Sequence, residues 1–305
     1  MKNAAQSGKP YAGNPHVRFE VGGSRTGKPR RGSLLYNTGK LLVGRAVSLI
    51  CGSVLAALLS GCAAMGGENA LTAQEKAEGY ELLFDGVNLP TDKWVGVKSG
   101  CTKFPEKGWF VNDGSLAMRP LCVIRDGKCF ALPPEEQKLG GGGDICTKKT
   151  YGDFCFKFDF RLTEAANSGV KYFFDEKANG GTCEEYQLLD PAHPDSQRGR
   201  GGNRCVAALY DIIPANAEKF LKPLGQWNSG MIVSRGRHVE HWLNGVKMLE
   251  YERGSAAFRA AVAASKYANW GTDGRHWGEL EEGRILLQDH GDSKVSFRNL
   301  KVKEL

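Results

Sequence analysis

The sequence predicts an all-β protein: two packed antiparallel sheets, a sandwich or a jelly roll, with one short helix. Three observations carry this. Short runs rich in branched and aromatic residues recur over residues 80–305, several alternate apolar and polar positions with period two, and turn-forming Gly, Asn and Asp separate them. Only residues 256–268 have the alanine-rich composition of a helix. Many short strands with regular turns and so little helix leave two packed sheets as the architecture.

In chain order, Glu81-Leu-Leu-Phe84 and Trp109-Phe-Val111 read as strands, each followed by a turn at Asp85-Gly86 and Asn112-Asp113-Gly114. A cysteine-bearing stretch then runs to Gly143, and Pro133-Pro134 with four consecutive glycines marks it as loop. Phe154-Cys-Phe-Lys-Phe-Asp-Phe-Arg-Leu162 has the clearest alternation, with Phe154, Phe156, Phe158, Phe160 and Leu162 on one face. A core stripe explains these phenylalanines without a cofactor. Asn167-Ser-Gly169 reads as a turn into the strand Val170-Lys-Tyr-Phe-Phe174, and Glu185-Tyr-Gln-Leu-Leu-Asp190 is the next strand. A polar loop covers residues 191–204, and residues 206–213 and Met231-Ile-Val-Ser234 are strands. Residues 238–251 form a hairpin closed by Asn244-Gly245, the pair a type I′ turn favours because both positions need φ > 0.

The C-terminal residues 284–305 read as a second hairpin, with Gly291-Asp292-Ser293 as a three-residue loop. That loop length sets the register, placing His290 opposite Lys294, Gln288 opposite Ser296, Leu287 opposite Phe297 and Leu286 opposite Arg298. Ile285, Leu287, Val295 and Phe297 then share an apolar face, and Gln288, His290, Ser296 and Arg298 a polar one. Such a polar face is a solvated surface or the floor of a site. Glu185 and Gln187 likewise project together, which alone reads as a solvent-facing edge.

Charge is distributed unevenly. Residues 1–61 hold nine Lys and Arg and one acid, Glu20, for +8, so the chain's formal +7 leaves −1 for residues 62–305. The near-neutral remainder argues against a nucleic-acid partner. The basic segment runs into an apolar stretch, residues 46–59, too short for a comfortable membrane span of ~20 residues, as in an export signal. Leu59-Ser60-Gly61-Cys62 resembles a bacterial lipobox, which makes Cys62 the lipidated first mature residue and the membrane anchor. An ordinary secretory peptide or a short anchor are the alternatives. Ala63 stands where an inner-membrane retention signal has Asp, so the expected address is the outer membrane, facing the periplasm or the cell surface. The expected organisation is a leader and signal peptide at 1–61, a tether at 62–78 ending in a short helix, and one domain at 79–305.

Nine cysteines include Cys51 and Cys62 of the signal, leaving seven. In an oxidising compartment these predict disulfides, with Cys183–Cys205 favoured and one further pair among Cys101, Cys122 and Cys129. His193, His238, His241 and His276 form no metal-binding spacing and read as surface or capping residues. GxSxG, GxGxxG and the P-loop are absent from the sequence. No cofactor is expected, with a divalent cation left open.

A chain-long resemblance adds to these readings. Leu83-Phe-Asp-Gly86, Trp109-Phe-Val-Asn-Asp-Gly114, Asp144-Ile-Cys-Thr147, Tyr151-Gly-Asp-Phe154, Asn167-Ser-Gly169, Glu185-Tyr-Gln187 with Asp190, Ala208-Leu-Tyr210, Gln226-Trp-Asn228, Leu243-Asn-Gly245, Ile285-Leu-Leu-Gln-Asp-His-Gly291 and Phe297-Arg-Asn299 follow in this order. The succession resembles the bacterial 3-keto-disaccharide hydrolase domain family. The resemblance implies a concanavalin-like jelly roll and a carbohydrate substrate, a 3-keto-glycoside cleaved by elimination and rehydration. The chain lacks the closely spaced acidic triad of similarly folded glucanases. Glu185, His290 and Arg298 are then the expected catalytic residues, and Asn167, Gln187, Asp190, Tyr210 and Gln288 the substrate-binding ones. A noncatalytic, lectin-like surface lipoprotein is the alternative, since fold alone does not determine function.

Overall fold

The computed structural model describes residues 67–305 except 126–127, 179–180, 216, 218–219, 272–273 and 292–294. The leader, the signal and the lipidation expected at Cys62 lie outside the described residues, as do Asp292, Ser293 and Lys294 of the expected C-terminal turn.

Two antiparallel sheets carry the chain. The larger runs in the order β13 (Val246–Glu252), β12 (His238–Leu243), β11 (Trp227–Arg235), β8 (Phe154–Leu162), β15 (Val295–Glu304), β4 (Ser115–Met118), β3 (Trp109–Asn112), with β1 (Glu81–Leu82) also paired to β15. The smaller runs β10 (Glu184–Leu189), β9 (Asn167–Phe174), β14 (Arg284–Leu287), β7 (Ile145–Thr147), β2 (Trp94–Gly96). Within the stretch expected to be loop, β5 (Cys122–Arg125) and β6 (Lys128–Ala131) form a hairpin stapled by the disulfide Cys122–Cys129, one of the expected pairings. Among the described residues, α1 (Ala73–Ala77) falls at the helical end expected of the tether and α4 (Ala256–Ala263) in the alanine-rich stretch, whereas α2 (Pro134–Gln137) and α3 (Pro194–Gln197) are short helices the sequence did not suggest. Helix α4 starts where the Ser255 hydroxyl accepts from the Phe258 N–H at 3.1 Å and turns Phe258 and Val262 into the core.

The phenylalanine row of β8 organises the interior. Phe156 and Phe160 are fully buried, and the Phe158 ring meets Tyr186 of the opposite sheet edge-on at 5.2 Å. Each such ring contributes roughly 2–3 kcal/mol by burial. Gly230 of β11 makes room for it: a Cβ there would lie 2.3 Å from the Phe158 ring. The hairpin of β12 and β13 turns at Asn244 and Gly245, with φ of 49° and 81°, as the sequence predicts.

The C-terminal hairpin does not form. β14 pairs with β7 and β9 in the smaller sheet, whereas β15 pairs with β8, β4 and β1 in the larger. Ile285, Leu287, Val295 and Phe297 still share one core cluster, because the apolar faces of the two sheets meet there. The polar faces, by contrast, point outward on opposite sides, so Arg298 is separated from Gln288 and His290. Strands in two facing sheets satisfy the same alternation as a hairpin within one.

Other expectations are corrected by local backbone. Residues 206–213 hold only isolated bridges, since Ala207 and Asp211 adopt φ of 64° and 63° and break the extended run. Asn167-Ser-Gly169, read as a turn, begins β9. Cys183 and Cys205 are free thiols: Cys183 is buried in a small apolar cluster with Val95, Cys146, Phe174 and Leu286, whereas Cys205 packs against the main core. Residues 67–78, expected within the tether, dock on the larger sheet, where Asn69 and Asn299 exchange hydrogen bonds at 2.7 and 2.9 Å and Lys301 meets Glu75 at 2.7 Å.

His241, expected at the surface, is wholly buried. Its Nδ1 lies 2.8 Å from the Ala207 carbonyl, which can only accept, so Nδ1 carries the proton and Nε2 accepts from the Tyr172 hydroxyl at 2.7 Å. Burial pushes its pKa down to about 4, against the opposing Ala207 bond. The unfolded chain therefore binds the extra proton between the two values, and the stability this ring contributes is lost as pH falls from about 6.5 toward 4. We predict that His241→Gln lowers stability at pH 7 by about 2–4 kcal/mol. In urea melts the gap to wild type should narrow at pH 5 by roughly 2 kcal/mol, whereas an unchanged gap would contradict a neutral buried ring.

Candidate active site

In the smaller sheet alternate residues turn into the core and the remainder share its outer face, the alternation being broken on β9 at Phe173, which has a φ of 56° and joins the core beside Tyr172. On β10, Tyr186 and Leu188 are core residues, so Glu185 and Gln187 face outward. On β9, Val170 and Tyr172 are core, and Asn167, Gly169 and Lys171 face outward. Register then brings them together, with Glu185 opposite Lys171 and Gln187 opposite Gly169. β14 extends the same face, for the Gln288 N–H donates to the Gly169 carbonyl at 3.0 Å and the Gln288 carbonyl accepts from the Ser168 hydroxyl at 2.8 Å. Asp144, immediately before β7, completes it, its carboxylate 3.7 Å from Lys171 Nζ.

Glu185 sits at the centre. Its side chain lies flat over Gly169, where a Cβ would come within 2.2 Å of Oε1. Burial pushes its carboxyl above the usual carboxylate range; Lys171, Lys266 and His290 pull the other way, and Asp144 adds to the rise. Lys266, from the loop after α4, is exposed along its side chain while its ammonium stands 4.1 Å from the Tyr210 ring and 5.0 Å from that of Tyr267. Desolvation at that position lowers its pKa; Lys171 and Arg204 act in the same direction, and Glu185 and Asp211 oppose. A desolvated carboxylate ringed by cations is suited to removing a proton and to stabilising the anion that results.

Tyr210 flanks this centre. Its N–H donates to the Glu185 carbonyl at 3.0 Å and its hydroxyl to Asp195 at 2.7 Å, while Arg204 bridges Asp195 and Asp211 at 2.6 and 2.8 Å. The Gln187 amide donates to Asn167 at 3.3 Å, and Gln187 Oε1 is buried with no hydrogen-bond partner among the described residues.

Of the residues expected from sequence, Glu185, Gln187, Asn167, Gln288, His290 and Tyr210 therefore share this region. Asp190 does not project into it: its carboxylate accepts from the Ala165 and Ala192 N–H groups at 2.7 and 2.9 Å and anchors a loop. Arg298, expected beside His290, stacks 4.2 Å from the Trp227 ring on the outer face of the larger sheet and pairs with Asp159 and Glu68. Asp144, Gly169, Lys171 and Lys266 were not anticipated. Reading Asn167-Ser-Gly169 as strand would have put Lys171 on the Glu185 face by parity; Lys266, set by a loop, has no comparable signal.

Two other features lie apart from this face. His238, Glu240 and Glu250 have the spacing of a metal site, but Lys247 already contacts both carboxylates at 3.1 and 2.5 Å. A cleft of about 720 Å³ lies around Arg284, far along β14 from Gln288, and its Arg259 and Glu279 hold each other at 2.8 and 2.9 Å. Neither gathers buried titratable groups as the Glu185 face does.

Comparisons with known proteins bear on the family and the fold. Residues 79–303 match the model of the 3-keto-alpha-glucoside-1,2-lyase-like domain. The chain is 32% identical over 248 residues to a 3-keto-disaccharide hydrolase of Bacteroides thetaiotaomicron, covering 75% of this chain and 79% of that protein. A solved protein of Parabacteroides distasonis, assigned as a glycosyl hydrolase, superposes with a TM-score of 0.60 at 30% identity, covering 78% of this chain and 99% of that one. With the two-sheet fold and the whole of residues 79–303 accounted for, the chain belongs to the 3-keto-alpha-glucoside-1,2-lyase-like domain family, enzymes of glycoside-hydrolase type.

Proposed function

We propose that the chain cleaves the glycosidic bond of 3-keto-glycosides, with Glu185 as the base that removes the C2 proton. The observation that carries this reading is the buried Glu185 carboxylate over Gly169, opposite Lys171 and within the influence of Lys266 and His290. A ketone at C3 acidifies the C2 hydrogen. Glu185 takes that proton and the electron pair moves onto the C3 oxygen, where Lys171 and Lys266 oppose the negative charge. Collapse of the enediolate expels the C1 substituent, whose oxygen His290 protonates. Water then adds across the C1–C2 double bond, returning a proton to C2. Gln187, Gln288, Asn167 and Tyr210 supply hydrogen-bonding groups for sugar hydroxyls. The Leu59–Cys62 segment supports an exported enzyme held at the outer membrane by lipid on Cys62.

In deuterated buffer this route places solvent deuterium at C2 of the released keto sugar, whereas direct hydrolysis retains the substrate hydrogen. We predict that label in wild type with a 3-keto-glucoside, and a fall in kcat/KM of about 10²–10⁴ in Glu185→Gln. Wild-type turnover in that variant, or binding without any product from wild type, would overturn the assignment. Gly169→Ala should fold normally but lose at least about tenfold in kcat, because its methyl displaces the carboxylate; full activity would show that the position of Glu185 over this strand does not matter.

A further inference from the structure

Cys101 and Cys146 stand together among the thiols. Their Sγ atoms are 3.4 Å apart, across 45 residues of chain. Cys146 is the middle residue of β7, fully buried, with Leu286 of β14 as one strand neighbour and Val95 of β2 as the other. Cys101 is half-buried and ends the turn that follows β2. It holds a left-handed φ of 57°, fixed by its N–H donating to the Gly96 carbonyl at 3.1 Å. Non-glycine residues persist in that conformation where their surroundings over-determine it. Both sulfurs belong to one apolar cluster with Val95, Phe174 and Leu286, and neither is claimed by the disulfide in the β5–β6 hairpin.

We propose that Cys101 and Cys146 are a disulfide site, closed by thiol–disulfide exchange with an oxidant such as glutathione disulfide or a protein dithiol in its oxidised form. The Cys101 thiolate attacks one sulfur of the oxidant, forming a mixed disulfide and releasing the first thiol. Cys146, as thiolate, then attacks the Cys101 sulfur and expels the second thiol. One disulfide forms, one is reduced, and the two protons lost by the cysteines end on the two released thiols. The bridge ties the turn after β2 to β7 two residues from Asp144, the carboxylate that faces Lys171. The turn is already aligned there, since the Val97 N–H donates to the Asp144 carbonyl at 2.9 Å.

The test uses the full chain, reduced, exposed to glutathione disulfide, alkylated under denaturing conditions, digested and analysed by mass. Closure of Cys122–Cys129 in the same sample proves that the oxidant acted. The expected result is a linked Cys101–Cys146 peptide pair and a Tm about 10 °C above that of Cys101→Ser, from closing a long loop in the unfolded chain. Complete alkylation of Cys101 and Cys146 where Cys122–Cys129 is closed, or a link from Cys146 to Cys183, overturns the proposal.

Discussion

Alternation in the five-stranded sheet is the constraint on which core and site both depend. Val170 and Tyr172 are fully buried beneath the sheet, and so are Tyr186 and Leu188 beside them. Rotating either strand by one residue would drive Lys171 and Glu185 into the phenylalanine row and bring tyrosines into the site, at a cost of many kcal/mol in burial and desolvation. The packing of the interior thereby positions the polar residues outside it. Phe158 against Tyr186 couples the sheets, so the strand that bears Glu185 is held by the stripe on β8.

On that frame, the outer face carries an electrostatic balance. A carboxylate taken out of water is costly unless cations or donors compensate. Around Glu185 the compensation is incomplete: Lys171 is shared with Asp144, and Lys266 is itself desolvated over Tyr210. The result is a carboxylate raised above its ordinary range rather than a stable ion pair. Partial compensation of this kind gives a base able to accept a proton, with cations already in place for the charge that develops elsewhere. Arg298 and Asp159, on the outer face of the larger sheet, are register partners on β15 and β8 and form an ion pair stacked on an indole that ties the two strands together.

Much of the fold was legible because local rules dominated there. The β8 stripe, the Asn244-Gly245 turn and the Glu185–Gln187 face all follow from period two and from φ > 0 at a tight turn. The C-terminal pair was misread because apolar residues of β14 and β15 meet equally well across the sandwich as within one sheet, and the sequence at 291–294 is as compatible with a tight turn as with a crossing between sheets. That error displaced Arg298, whereas Gln288, bonded to β9, and His290, within electrostatic influence of Glu185, lie near the smaller sheet whichever sheet β15 joins. Lys266 and Asp144 were missed for a different reason. Each reaches the site by tertiary placement, one from a loop after α4 and one at a strand end, so its neighbours in sequence carry no trace of its neighbours in space. Cys183 and Cys205 pack in different apolar clusters, which sequence separation cannot reveal.

The central physical claim is that Glu185 is a desolvated carboxylate whose charge is opposed mainly by Lys171. Carbon-13 NMR titration of the Glu185 carboxyl, in wild type and in Lys171→Met, tests it most directly. The expected result is a titration midpoint above the ordinary glutamate range in wild type and a further rise once the lysine charge is removed. A midpoint at or below that range, or no upward movement in Lys171→Met, would contradict it.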